Sequence, residues 1–216
     1  MKFDMTQVNW VDFLAVLVLI VGIFRGRKRG FSQELLDTTQ WLLIIFAGGL
    51  LYARGGQWLA GHHLFGLLTC YLATYLVIAL LVKILFSYIK RACGGKIVEK
   101  NVFGSMEYYL GMGAGMLRFA CVFLFFLNLL HAPYYTPEQL AADAKYQQKN
   151  FGDISFPTLG SMQTQVYKKS FTGQAVNRYL TAVLITPTAG TTTELRGENS
   201  MGKRSEREID QVMGRK

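Results

Sequence analysis

The stretch Leu64–Val82, LFGLLTCYLATYLVIALLV, holds nineteen residues without a charge. As a helix rising about 1.5 Å per residue, it covers most of a ~30 Å hydrocarbon layer. A run of that length reads as a transmembrane helix, and the remaining apolar stretches are judged against it. Tyr108–Leu130, YYLGMGAGMLRFACVFLFFLNLL, is also long enough to span, although Arg118 stands near its middle. Leu35–Ala53 turns apolar after a polar opening that contains Asp37, Thr38, Thr39 and Gln40, so it either spans or enters the membrane obliquely. The first window is the shortest. Only Phe13–Phe24 is an uncharged run, and reaching spanning length means extending back to Met5 and including Asp12. An acid near a helix N-terminus is tolerated there, because the dipole's positive end favours it and the interface is close. A cleaved signal peptide fits less well, since the cations follow the apolar run and no small-residue cleavage site comes after it.

The formal net charge of +9 raises the question of nucleic acid, and the location of the cations answers it. Arg25, Arg27, Lys28 and Arg29 stand against Glu34 in one connecting segment. Lys83, Lys90, Arg91, Lys96 and Lys100 stand against Glu99 and Glu107 in another, whereas 54–63 between them holds a single cation. Cations in alternate loops follow the positive-inside rule, which a nucleic-acid surface does not require. The expectation is an all-α membrane protein with four transmembrane helices, the first and third loops in the cytoplasm and both termini outside.

Within the first loop, GIFRGRKRGFSQELL has glycine at 22, 26 and 30. On a helix these step along one face with a drift of roughly 40° each, leaving a groove into which a second backbone fits. Gly22 and Gly26 are expected in contact, with Gly30 as the residue that ends the helix. Ser32 is then placed to cap the next helix, with Phe31 packing on Leu36 and Glu34 in the favoured first turn. The cluster Arg25, Arg27, Lys28 and Arg29 is expected to anchor this hairpin at an anionic membrane surface.

A second small-residue patch, Gly111, Gly113, Ala114 and Gly115, precedes Arg118 in the last apolar window. Gly111 and Gly115 form GxxxG, a frequent chance match on its own. Arg118 lies three residues on, along the same side. A mid-membrane arginine costs several kcal/mol and its charge is effectively permanent. It therefore either faces the bundle interior, paired or hydrated, or snorkels. Asp12, Asp37 and Glu107 are the candidate acids, with Asp37 the nearest to its depth.

The stretch NWVDFLAVLVLIVGIFRGRKRGFSQELLDTTQWLLIIFAG resembles the N-terminal signature of the colicin V production protein (CvpA) family, at Asp12, Gly26, Gly30, Glu34 and Leu35. Gly111, Gly115 and Arg118 are similar to that family's later G-x-x-x-G-x-x-R pattern, and FGDISFPTLGSMQTQVYKKSFTGQAVNRYL to the C-terminal region of some members. The resemblance covers Asn9 to Pro187. It implies a four-span bacterial inner-membrane protein connected with colicin V production and envelope homeostasis, with no catalytic activity assigned.

Three regions follow: a transmembrane domain over 1–131, an amphipathic helical region over 132–186 and a disordered tail over 187–216, rich in Thr, Gly and mixed charge. Thr136-Pro137-Glu138 predicts a helix start, with the helix running to about Lys149. Val176, Tyr179, Leu180, Val183 and Leu184 recur at three and four residues and predict one amphipathic helix. That helix rests on the outer leaflet, at the bundle mouth or in a small soluble domain.

The chain has no Walker loop, no H-E-x-x-H and no G-x-S-x-G, so an enzyme is not expected and no catalytic residue, metal ligand or cofactor is proposed. His62 and His63 are adjacent and point about 100° apart on a helix, too far to share a metal readily. His131 closes a span. Cys70, Cys93 and Cys121 build no disulfide framework. The expected partners are the lipid bilayer and either a second copy or other envelope and export proteins. Three classes remain: an accessory envelope protein, a small oligomeric channel or transporter, and, more distantly, an intramembrane enzyme.

Overall fold

The computed structural model describes residues 9–61, 66–98, 104, 106–151 and 157–189. Four long helices form the bundle: α1 (Trp10–Arg29), α2 (Phe31–Ala60), α3 (Leu67–Val98) and α4 (Met106–His131). Three shorter ones follow, α5 (Pro137–Phe151), α6 (Leu159–Thr164) and α7 (Phe171–Tyr179), with a π-helical turn over Gln165–Lys169. Two two-residue segments, Pro133–Tyr134 and Thr188–Ala189, pair in parallel.

Among the described residues, three helices are long and apolar enough to cross a membrane: α2, the Leu67–Ala92 part of α3, and α4. Together with their composition this makes the chain an all-α membrane protein. α1 falls short on composition, because Asp12 and Arg25 bound its twelve uncharged residues. It nevertheless runs antiparallel beside α4 from end to end. Val11 shares a core with Leu127, while Gly30 meets Glu107 at the opposite end. α1 thus accompanies a spanning helix through its full depth, and much of its outward surface, including Phe13, Val16 and Phe24, is exposed and apolar.

α4 is central, contacting α1 on one side and α2 on the other, and α2 in turn packs on α3. The α2–α3 seam is made by aromatic rings laid on glycines. A Cβ at Gly48 would come within 2.8 Å of the Tyr75 ring, and one at Gly56 within 2.9 Å of the Tyr71 ring. Tyr75 stacks on Phe125 of α4 with centroids 5.4 Å apart.

The C-terminal region packs on the end of the bundle remote from Gly30. Val166, Val176 and Leu184 join Val11 and Leu127 in one core, and Ile185 joins Tyr52, Tyr71, Tyr75 and Ala132 in another. α5 begins as its sequence predicts: Thr136 Oγ1 accepts from Gln139 N–H at 3.3 Å, and Gln139 Oε1 accepts from Thr136 N–H at 3.0 Å, a capping box. The amphipathic helix expected through Leu184 instead ends at Tyr179. Its periodic set divides there, with Val176 buried and Tyr179 exposed. Leu184 N–H closes a turn on Leu180 C=O at 3.2 Å, after which the chain is extended. Pro187 contributes to this, since the residue before a proline is pushed out of the helical region. Of the expected tail, Thr188 and Ala189 are paired, and 190–216 lies outside the described residues.

Candidate functional site: a buried charge cluster beside a glycine seam

The glycines of the two sequence patches meet one another. An ideal Cβ at Gly22 would lie 2.8 Å from Gly115 O, and one at Gly111 would lie 2.7 Å from Gly26 O. Gly26 and Gly115 are closer still to the facing backbone. Only hydrogen fits at these positions, so α1 and α4 touch main chain to main chain, the close approach that small-residue motifs permit in lipid. Gly113, from the same patch, has nothing within 4 Å of a built Cβ and takes no part. Gly30 ends α1 at φ +79°, a conformation that disfavours any side chain.

The start of α2 departs from expectation. Gly30 occupies the N-cap and supplies no side-chain cap, so Ser32 lies inside the helix and is buried. The cap comes from α4 instead. Glu107 Oε1 accepts from Ser32 N–H at 3.3 Å, and its negative charge suits the helix N-terminus. Glu107 is thereby engaged as a cap.

Arg118 turns inward, 17% exposed, and meets two acids. Its Nη1 lies 2.8 Å from Glu34 Oε2 and 2.8 Å from Asp37 Oδ2. Asp37 was the expected partner. Glu34, whose side chain is 0% exposed, is the second partner, which its place in the first turn of α2 does not by itself predict. The geometry follows from helix direction, because side chains on α4 lean toward its N-terminus and lower the guanidinium to the level of the first turns of α2. Glu34, Asp37 and Thr38 form a stripe at i, i+3 and i+4, and Thr38 Oγ1 donates to Ala114 O at 3.1 Å, fastening the same two helices. The polar opening of α2 is thus an inward face.

Two further cations complete the cluster. Arg29 Nη1 stands 3.2 Å from Asp37 Oδ2 and 3.5 Å from Glu34 Oε1. Lys90 of α3 donates to Asp37 Oδ1, and to Gln40 Oε1 at 2.9 Å. Neither position had been singled out as intramembrane from sequence; Lys90 had been counted with the loop cations. All four bundle helices contribute, and three cations surround two carboxylates. Among the described residues, Ser32 Oγ, Glu34 Oε1, Glu107 Oε2 and Arg118 Nε are buried in this half of the bundle and make no hydrogen bond, Glu34 Oε1 keeping only its ion-pair contact with Arg29.

The basic cluster is correspondingly divided. Arg29 is drawn into the ion pairs, and Arg27 sits 4.7 Å over the Tyr108 ring. Arg25 and Lys28 are exposed. Close packing at Gly26 carries Arg29 to the acids of α2.

Asp12 lies at the opposite end and has a different task. Its Oδ2 accepts from Asn9 N–H at 3.0 Å, closing the capping box of α1. Its Oδ1 accepts from Thr172 N–H and Ser170 Oγ–H, both at 2.8 Å. Phe171 N–H adds a contact to Oδ2 at 3.2 Å. One carboxylate therefore serves the N-termini of α1 and α7 together and ties the C-terminal region to the bundle. Nearby, burial pushes the Tyr167 phenol well above its ordinary pKa while its O–H donates to Leu127 O at 2.7 Å.

His131 Nδ1 lies 2.8 Å from Ile185 O, and its ring meets Tyr167 edge-on. His62 and His63 fall outside the described residues, as does the side chain of Cys93, while Cys70 and Cys121 are buried free thiols.

Compared with protein families, residues 11–147 match the one described as Colicin V production protein. The chain belongs to that family. The match takes in both glycine patches, the whole charge cluster and Asp12, and stops before α6, the π-helical turn and α7. No curated protein and no solved structure matches the chain significantly.

Proposed function

We propose that this colicin V production family protein is a non-enzymatic accessory component of the bacterial inner membrane, acting in colicin or toxin production and in envelope homeostasis through assembly with itself or with export proteins. The observation that carries this reading is how the intramembrane charges are used. Arg118, Glu34, Asp37, Arg29 and Lys90 bind one helix to another, as in a structural core. The apolar outer faces of α1 and α3, with Phe13, Phe24, Leu80 and Leu85 exposed, suit lipid and partner helices. The alternation of basic loops supports an orientation with the Gly30 end in the cytoplasm and both termini in the periplasm.

A second reading, a small oligomeric channel or transporter, is favoured by the buried polar atoms near the cluster that make no hydrogen bond, Ser32 Oγ, Glu107 Oε2 and Arg118 Nε among them, which water would satisfy. Purified full-length protein in liposomes discriminates the two. The accessory reading expects ion and solute flux no greater than in empty vesicles, together with failure of Arg118→Leu to complement an envelope defect in a deletion strain. Flux that depends on protein and is altered by Arg118→Leu would replace it with the channel reading.

A further inference from the structure

At the end of the bundle remote from the charge cluster, the segment after α7 is held by side chains that read its main chain. Asn128, 2% exposed, accepts from Ile185 N–H at 2.7 Å and donates to Val183 C=O at 3.0 Å, bracketing Leu184 as a neighbouring strand would. Its remaining N–H goes to Tyr75 OH at 3.2 Å, which fixes the orientation of the carboxamide. His131 Nδ1, 2.8 Å from Ile185 C=O, takes that residue's other backbone group. Tyr52 OH accepts from Thr186 N–H at 3.0 Å. Gly49 leaves the space the segment occupies, since a Cβ there would stand 2.6 Å from Val183 O and 2.9 Å from Val183 Cα.

Five residues on three helices thus form a receptor for peptide backbone. Recognition is through N–H and C=O groups, while Leu184 and Ile185 supply buried apolar side chains. All five receptor residues lie within the part of the chain that matches the family, 11–147, whereas the segment filling the receptor lies beyond it.

We propose that Gly49, Tyr52, Tyr75, Asn128 and His131 form a peptide-binding groove, that residues 183–186 occupy it in cis, and that a short uncharged apolar segment of another polypeptide binds there when this strap is released. The ligand class follows from the contacts: a backbone with free N–H groups at two successive positions, as at Ile185 and Thr186, and free carbonyls two residues apart, as at Val183 and Ile185, with two bulky aliphatic side chains and no charge, because no charged side chain is among the five. The inference is independent of whether the bundle conducts.

The test uses the full chain in nanodiscs and a fluorescent peptide with the sequence of residues 180–189, LTAVLITPTA. Ile185→Pro in the protein removes the N–H that Asn128 accepts and releases the strap. The peptide should bind this variant at least ten-fold more tightly than it binds the unaltered protein. Adding Asn128→Ala to Ile185→Pro should remove that gain. Equal binding to both proteins, or binding indifferent to Asn128, overturns the proposal. Should Ile185→Pro fail to fold, hydrogen exchange on the unaltered protein decides. The Ile185 and Thr186 amides should exchange by local opening at least ten-fold faster than those of Ile44 and Ala79. Exchange of all four together would mean the strap is an inseparable part of the core, and the groove reading fails.

Discussion

Gly26 and Gly113 provide a paired perturbation in which the same chemical change should have opposite signs. Both are helical glycines, so replacing either with alanine gains about 1 kcal/mol of intrinsic helix stability. At Gly113 nothing lies within 4 Å of the new methyl group, and the gain should be seen in full. At Gly26 the methyl would overlap Gly111 O and stand 2.9 Å from Gly115 Cα. Both obstacles are backbone, so no rotamer change relieves them, and α1 and α4 must separate along their seam. Overpacking of this kind costs typically 1–3 kcal/mol, and a backbone-to-backbone clash belongs at the upper end. Net of propensity, Gly26→Ala should be destabilised by about 2 kcal/mol, placing the two variants about 3 kcal/mol apart. The assay is reversible unfolding in mixed micelles, followed by circular dichroism as the denaturing detergent fraction rises. Gly113→Ala should unfold later than the unaltered protein, and Gly26→Ala earlier. Equal stability of the two variants, or greater stability of Gly26→Ala, would refute the seam. Gly22→Leu should fall below Gly26→Ala in the same series, whereas Leu17→Phe, on an exposed position, should leave the midpoint unchanged.

Arg118→Leu leaves the fully buried Glu34 carboxylate with only the longer contact to Arg29 and should lower stability by about 3 kcal/mol, while the double variant Arg118→Leu with Glu34→Leu recovers part of that loss; a double variant less stable than either single one would contradict the pairing. Asp12→Ala removes an acceptor serving two helix N-termini, so the Phe171 and Thr172 amides should exchange faster by about 1.5–3 kcal/mol of local stability while those of α2 are unaffected, as hydrogen exchange would measure. A topology reporter fused after Lys216 should be active outside the cytoplasm and one inserted near Lys96 active inside; the reverse pattern would overturn the proposed orientation.

The helical bundle was legible because its determinants are local. Uncharged windows mark the long helices, and Thr136-Pro137 marks the start of α5, since such signals depend on a few adjacent residues. The glycine patches were each legible as packing faces. Their meeting was not, because a face on one helix does not name its partner until the antiparallel arrangement of α1 and α4 is known. Ser32 shows the opposite failure. Its local sequence is a good capping signal, but Glu107, seventy-five residues away, supplies the cap and moves the helix start to Phe31. The strap was hidden for a similar reason: Val176 to Leu184 has helical periodicity, and the groups that end the helix and hold its continuation, Asn128, His131 and Tyr52, are remote in sequence.

Glu34 is the instructive case, because its place in the first turn of α2 is visible in the sequence and its partner is not. An acid in the first turn of α2 is favoured by the dipole wherever its side chain points. What decides the direction is the solvent. In lipid an unpaired carboxylate on the outer face has nothing to satisfy it, so the stripe formed by Glu34, Asp37 and Thr38 must turn toward other helices. Once it does, its partner has to be a cation that cannot lose its charge and whose side chain reaches the same depth. On a parallel neighbouring helix that cation belongs two or more turns past the N-terminus, because its side chain leans back by several ångströms. Arg118, twelve residues into α4, satisfies both conditions, and the pairing therefore follows from helix direction and solvent together, although neither alone would have found it.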